Sequence, residues 1–433
     1  MLHIAPSGGA VPRTRRTRRA TALAVVTLAV GLIAGACSSD GDPASGPATT
    51  QTATTRVATV DQTALDQLVE EVARSTMTPG LVVLLRSPEG TITSAYGTTE
   101  WDGTTPVTVD DHVRIGSNTK TMTGTVILQM VDEGKVRLDD PVSTYRSDVP
   151  NGQNITIAQL LDMRSGLFNY SETEQLNRTL DEDPTKAWTQ QELLDMAFAN
   201  PPYFPPGEGY HYSNTNTILL GLIAEQIDEK PLADVFQTRL FEPLGLDHTS
   251  FPATTDDSIP DPHPQGYMFG SNVETMQPLS AERQAAAAAG TFTPADVTDE
   301  NPSWAWSAGA GISTIEDLAT WAEALGSGRM LSAAGQQARL ASVQPIDPGN
   351  ASAPSYGYAL ARLGPLLGHT GELPGFNSFM GYDPDRQITV IAWSNLNAAP
   401  DAKMTAPAVA LGRQLIALIY GTADGAGAPS AST

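Results

Sequence analysis

Two hairpin signatures near opposite ends of this 433-residue chain constrain its fold more than any other feature. Leu81 to Leu85 and Thr91 to Tyr96 read as strands around Ser87-Pro88-Glu89-Gly90. Phe376 to Tyr382 and Gln387 to Trp393 repeat the pattern around Asp383-Pro384-Asp385-Arg386. A helix precedes the first pair, where Leu65, Leu68, Val69 and Val72 mark one face between about Asp61 and Arg74, and another follows the second pair from roughly Met404 to Tyr420. The ends therefore supply an antiparallel sheet covered by helices. Ile157 to Met163, Gln190 to Ala199, Thr217 to Ile227 and Leu232 to Phe241 read as helices of an inserted lobe, about residues 117–300, with a proline-rich loop from Pro201 to Gly207 and a polar stretch from Thr254 to about Pro302. The fold class is α+β: an α/β sandwich lobe with a mostly helical insertion, spanning about residues 61–420. Clefts between such lobes are where sites form.

Charge and cysteine content narrow the chemistry. The formal net charge is −23, and the first 36 residues hold five arginines and no acids, so their removal leaves −28. Such an excess argues against nucleic acid or anionic lipid surfaces as partners and suits an acidic secreted protein. Cys37 is the single cysteine, which rules out an intrachain disulfide, and the six histidines include no pair at metal-ligand spacing. A zinc site is not expected, and no cofactor is implied.

The N-terminal segment reads as an address. Arg13 to Arg19 form a basic region, Ala20 to Ala34 an apolar run too short to span a bilayer, and Ala34-Gly35-Ala36 lead into Cys37. Residues 1–36 are thus expected to be an export signal. Residues 38 to about 60 are Ser, Thr, Ala, Gly, Pro and Asp, a composition that buries too little to fold and is expected to act as a tether. The last residues, 421–433, form a Gly/Ala/Ser tail.

Chemistry concentrates in Gly116-Ser117-Asn118-Thr119-Lys120. Ser117 and Lys120 stand at i and i+3, so on a helix they share a face and the amine reaches the hydroxyl. Met122, Val126, Ile127 and Met130 continue at helical spacing until Gly134, which puts the serine in the first turn. Alone, Ser-x-x-Lys is common. Two further stretches gain meaning beside it. Tyr212-Ser213-Asn214 precedes a helix, and in an extended loop residues i and i+2 face the same way, so Tyr212 and Asn214 can share a cleft while His211 turns away as a structural residue. A phenol near ammonium groups can be held ionised and act as a base. His369-Thr370-Gly371 lies at the start of the C-terminal hairpin, where it is expected on or beside an inner strand: glycine for close approach of a ligand, threonine to hydrogen-bond substrate, histidine as a positive or polar neighbour.

Ser-x-x-Lys, then Tyr-x-Asn, then His-Thr-Gly resembles the penicillin-recognising serine hydrolases, and within them the secreted D-alanyl-D-alanine carboxypeptidases that share the class C β-lactamase fold. Phe204-Pro205-Pro206-Gly207, Glu242-Pro243-Leu244-Gly245-Leu246, Ser303-Trp304, Ser307 to Thr314 and Tyr356-Gly357 fit the same pattern. Cys37-Ser38-Ser39-Asp40-Gly41 likewise resembles a bacterial lipobox, with Ala34 where Leu or Val is usual. The resemblance implies a β-lactamase/transpeptidase-like fold and an acyl-enzyme mechanism: Ser117 attacks a carbonyl, Lys120 and Tyr212 relay its proton, and the amides of Ser117 and Glu372 hold the oxyanion. It puts Asn214, Trp304, His369, Thr370 and Gly371 among substrate-binding residues, and leads to cell-wall peptides as substrates, with β-lactams as inhibitors or substrates. It also implies lipidation of Cys37, hence a body held at the outer face of the membrane through a lipid anchor, or secreted.

Two departures bear on substrate. Glu372 stands where a hydroxyl residue that grips a terminal carboxylate is usual, and an acid there would repel one. Arg362 is available as the arginine expected near Tyr356-Gly357, facing the cleft or solvent according to strand register. The expected activity is a D-alanyl-D-alanine carboxypeptidase; a β-lactamase, an esterase or a D-amino-acid peptidase would use the same site, and a non-catalytic β-lactam-binding lipoprotein is the reading from another class. On the anchoring side, Cys37→Ala is expected to release the protein into the medium or leave it unprocessed. Fractionation with mass spectrometry reads this directly, and unchanged membrane association and mass would exclude a lipid anchor.

Overall fold

The computed structural model describes residues 59–349 and 354–421. The expected export signal, Cys37, nearly all of the tether and residues 422–433 of the tail lie outside the described residues. Asp61 caps α1 (Gln62–Thr76) by accepting from the Ala64 amide at 2.8 Å, and α1 leads into the hairpin of β1 (Gly80–Ser87) and β2 (Gly90–Gly97). Then come β3 (Val113–Arg114), α2 (Thr119–Asp132), α3 (Ile157–Leu161), α4 (Glu174–Glu182), α5 (Gln190–Phe198), α6 (Asn214–Asp228), α7 (Leu232–Phe236) and α8 (Glu242–Leu244). Next are β4 (Tyr267–Met268), α9 (Ala281–Ala288), β5 (Ala295–Asp296), β6 (Ile312–Ser313), α10 (Ile315–Ser327) and α11 (Ala333–Ala341). The chain ends with β7 (Gln344–Pro345), β8 (Ser355–Gly357), β9 (Leu360–Leu363), β10 (Leu366–Leu373), β11 (Phe376–Asp383), β12 (Ile388–Ser394) and α12 (Pro407–Tyr420).

Among the described residues, eight strands form one antiparallel sheet in the order β2-β1-β12-β11-β10-β9-β8-β7. The N-terminal hairpin joins the C-terminal strands where β1 pairs with β12, Leu81 opposite Ser394. Both faces are covered. Val82, Leu84, Met380, Ile391 and Trp393 join the core shared with α2 and α10, while Leu81, Val83, Phe379 and Val390 pack on Leu65 and Val69 of α1 and on Leu411 and Leu415 of α12. β11 and β12 are consequently buried along their whole length.

Helix α2 is enclosed on all sides. Every residue from Thr119 to Leu128 is buried, which the four apolar positions read from the sequence understate. Its threonines are tolerated because they are satisfied: Thr121 Oγ1 donates to the Asn118 carbonyl and Thr125 Oγ1 to that of Thr121, both at 2.6 Å.

Helix α12 starts without a local side-chain cap. Pro407 removes one orphan N–H, and Oδ1 of Asn377, on β11, accepts from the amides of Ala408 (3.0 Å) and Val409 (3.3 Å). The Nδ2 of the same side chain donates to the Gly371 carbonyl on β10 at 2.9 Å. Asn377→Ala should therefore cost on the order of 2 kcal/mol, since it strands buried donors and an acceptor together. A lowered urea midpoint checks this; an unchanged midpoint would mean that water replaces the side chain.

Candidate active site

Ser117 lies in a single 3₁₀ turn, Gly116–Asn118, that runs directly into α2. This corrects its expected position by one turn and keeps the shared face with Lys120. The turn packs against the part of β10 that has no partner on its outer side, because β9 pairs only with Leu366 to Gly368. Two glycines make that approach possible. Gly116 has φ +54°, and a Cβ there would stand 2.5 Å from the Glu372 amide nitrogen; one on Gly371 would stand 1.9 Å from the Ile115 carbonyl oxygen. Gly371 was expected to let a ligand come close. What it admits is the protein's own nucleophile turn, locked by Asn118 Nδ2 donating to Ser378 Oγ at 2.8 Å and Ser378 Oγ donating to the Ile115 carbonyl at 2.8 Å.

Lys120 Nζ is 2.9 Å from Ser117 Oγ and 2.7 Å from the carbonyl oxygen of Ala308. Ala308 closes a tight turn, Trp306–Ala308, in which Trp306 sits at φ +33°, a strained value for a bulky residue. The same turn presents the Ser307 carbonyl to Thr123 Oγ1 at 2.7 Å, so it is clamped to α2 at two points. Lys120 is buried with no carboxylate beside it, and burial holds its pKa well below the ordinary ammonium range. Burial thus disfavours the ammonium form and favours an amine within reach of the serine hydroxyl.

Tyr212 brings its ring to 4.8 Å from Lys120 Nζ. Its hydroxyl is buried beside Ser117; burial pushes the phenol's pKa upward, and hydrogen bonding to Ser117 opposes that. Burial therefore works against the expected ionised phenol. It also works against a charged His369, pushing that imidazole down to about 3, and any positive charge on Lys120 would add to the effect. His369 is a polar neighbour and not a positive one, with Nε2 3.2 Å from the Tyr356 hydroxyl and Nδ1 2.6 Å from the Thr370 carbonyl.

Ser117, Tyr212, Asn214, Trp304 and Glu372 line one cavity. Asn214 opens α6 and donates from Nδ2 to Ser171 Oγ at 3.0 Å, while its buried Oδ1 has no partner. Trp304 is fixed from behind by Tyr170, whose hydroxyl donates to its carbonyl at 2.6 Å. Thr370 is half-buried opposite Phe379 and, like His369 and Gly371, does not line the cavity. Arg362 is a second correction. It pairs with Leu367 on β9, is exposed, and does not line the cavity, so it joins the solvated surface. His211 turns away as expected and stacks on Tyr203 at 3.6 Å.

The sequence reading missed Ser171, Asn177, Asn272 and Asn397, which complete the cavity wall. They come from three stretches of chain, Ser171 and Asn177 sharing one, and no spacing links them to Ser117. Glu372, half-buried, is the one carboxyl in the lining, and burial pushes it up to about 8.

A family model described as Beta-lactamase matches residues 65–414. The chain belongs to the Beta-lactamase family. Among curated proteins it is similar to protein flp of Staphylococcus aureus strain N315, at 27% identity over 351 residues, covering 78% of this chain and 64% of that protein. The chain thus spans just under two thirds of the length of such relatives. Solved structures include the D-stereospecific amidohydrolase from Streptomyces sp., at 29% identity and TM-score 0.69, covering 84% of this chain and 100% of that one. The D-amino acid amidase from Ochrobactrum anthropi SV3 complexed with D-phenylalanine matches at 27% identity and TM-score 0.70, covering 83% and 98%. The sheet flanked by helices is accordingly the β-lactamase/transpeptidase-like fold.

The electrostatics of this Beta-lactamase-family site give a pH signature. A base must be unprotonated, and Lys120 is depressed, so the reactive form exists above its lowered pKa and disappears as pH falls through it. With a substrate that does not titrate, kcat/KM should fall only as pH drops through a value well below the ordinary ammonium range, and Lys120→Ala should remove nearly all of the rate. An acid limb near the ordinary ammonium value would show Lys120 charged at rest.

Proposed function

We propose that this protein is a serine amidohydrolase that cleaves amides of D-amino acids through an acyl-enzyme on Ser117. The observation that carries the reading is the 2.9 Å contact between Ser117 Oγ and a buried Lys120 amine with no carboxylate to keep it charged. Ser117 Oγ bonds to the amide carbonyl as its proton passes to Lys120. The tetrahedral oxyanion is received by the amides of Ser117 and Glu372, as the two glycine contacts bring the nucleophile turn against the Glu372 amide. As the C–N bond breaks, the leaving nitrogen takes the proton by way of Lys120 and Tyr212. Water then attacks the ester, gives a proton back to Ser117 Oγ, and releases the acid.

D-configured amides are favoured because two of the similar solved proteins are named as a D-stereospecific amidohydrolase and a D-amino acid amidase. The D-alanyl-D-alanine carboxypeptidase activity expected from sequence would use identical steps on a substrate with a free terminal carboxylate. No cationic residue lines the cavity to hold such a group, and Glu372 lines it instead. We also propose, from the basic and apolar leader ending at Cys37, that the protein acts outside the cytoplasm on a lipid tether, with β-lactams acylating the same serine.

The test is hydrolysis of D- and L-enantiomers of alanine amide and phenylalanine amide, with a fluorescent penicillin as a covalent probe of Ser117. The D-amides should be cleaved in preference, and Ser117→Ala should lose activity on the order of 10³-fold or more along with all labelling. Labelling that survives in Ser117→Ala, or indifference to configuration, would overturn the reading.

A further inference from the structure

Apart from the Tyr212 hydroxyl beside Ser117, the buried side-chain atoms of the cavity-lining residues that lack partners are acceptors. The half-buried Glu372 carboxyl lines the same wall as Ser117, and no charged or hydrogen-bonding neighbour shifts its pKa beside burial. Asn214 Oδ1 and Asn397 Oδ1 line the cavity too, both buried and both without partners. All three are acceptors. Buried acceptors left open in a folded protein are costly unless a ligand supplies the donors.

No charge of the protein answers Glu372. None of the cavity's lining residues is cationic, Arg362 is exposed elsewhere on the sheet, and Lys120 and His369 are both driven neutral. Burial is the sole influence on the Glu372 carboxyl, which it pushes up to about 8, and an arriving cation would bring it down again. Position then limits what that cation can be. The Glu372 amide nitrogen stands against the nucleophile turn, so the carboxyl lies one side chain away from the carbonyl that Ser117 would attack.

We propose that Glu372 is a specificity-determining residue that binds a primary ammonium group next to the scissile carbonyl, with Asn214 and Asn397 as further acceptors. The preferred substrates are then amino-acid amides, or peptides cleaved after a free N-terminal residue, and not N-acylated ones. An ammonium has three N–H donors, which matches the set of open acceptors. This rests on the proposed amidohydrolase activity and narrows it to substrates with a free amine.

The experiment compares kcat/KM of the full chain for D-phenylalanine amide and for N-acetyl-D-phenylalanine amide, with Glu372→Gln alongside. Glutamine keeps the shape and removes the charge, and matching thermal melts establish that the variant folds. Wild type should prefer the free amine by on the order of 10²-fold, the scale of a charge pair in a desolvated site, and Glu372→Gln should bring the ratio close to one. Hydrolysis of both amides with the same ratio in both proteins would overturn the role of Glu372 while leaving the amidohydrolase reading intact. Failure to hydrolyse either amide would overturn both.

Discussion

The structure depends on a contact between two stretches of backbone that side chains would forbid. Gly116 and Gly371 let the nucleophile turn lie directly against the free edge of β10, where any Cβ would meet the opposing main chain at 2.5 Å or less. That contact sets the backbone just before Ser117 against the Glu372 amide, and it brings the buried start of α2 up to the sheet. Asn118 and Ser378 hold it from within, and Asn377 holds β10 to the start of α12 from the other face. Sheet, helix and site are therefore one mechanical unit.

Burial does the rest of the chemistry. An amine, an imidazole, a phenol and a carboxyl are gathered in a space too dry to charge them, so each is shifted toward its neutral form. A neutral lysine beside a serine is a base, whereas the same lysine in water would be a cation. The neutral phenol of Tyr212 can donate as well as accept, which suits a group that returns a proton to a leaving nitrogen. Glu372 lines the cavity as Tyr212 does, and there a ligand and not the protein would decide its charge.

Several features were legible in the sequence for reasons of local physics. Hairpin turns, the apolar face of α1 and the i, i+3 relation of Ser117 and Lys120 are set by a few adjacent residues, and the structure reproduces them. The position of Tyr212 and Asn214 on one wall followed from strand alternation alone. Arg362 was not legible, since its direction depends on a register fixed by β10 and on where β9 stops. The wall residues Ser171, Asn177, Asn272 and Asn397 carry no local signal, because they meet only when distant segments fold together.

By itself, then, the order of residues determined which groups could react and which elements would carry them: nucleophile and base on one face of a turn, and strands at both ends of the chain. Tertiary structure decided protonation and direction. Whether Lys120 is an amine or an ammonium, whether Tyr212 is a phenol or a phenolate, and whether Gly371 makes room for a ligand or for Ile115 all depend on what is packed around them. The reason is that desolvation and backbone contact are properties of enclosed space, and enclosure is made by residues far apart in the chain.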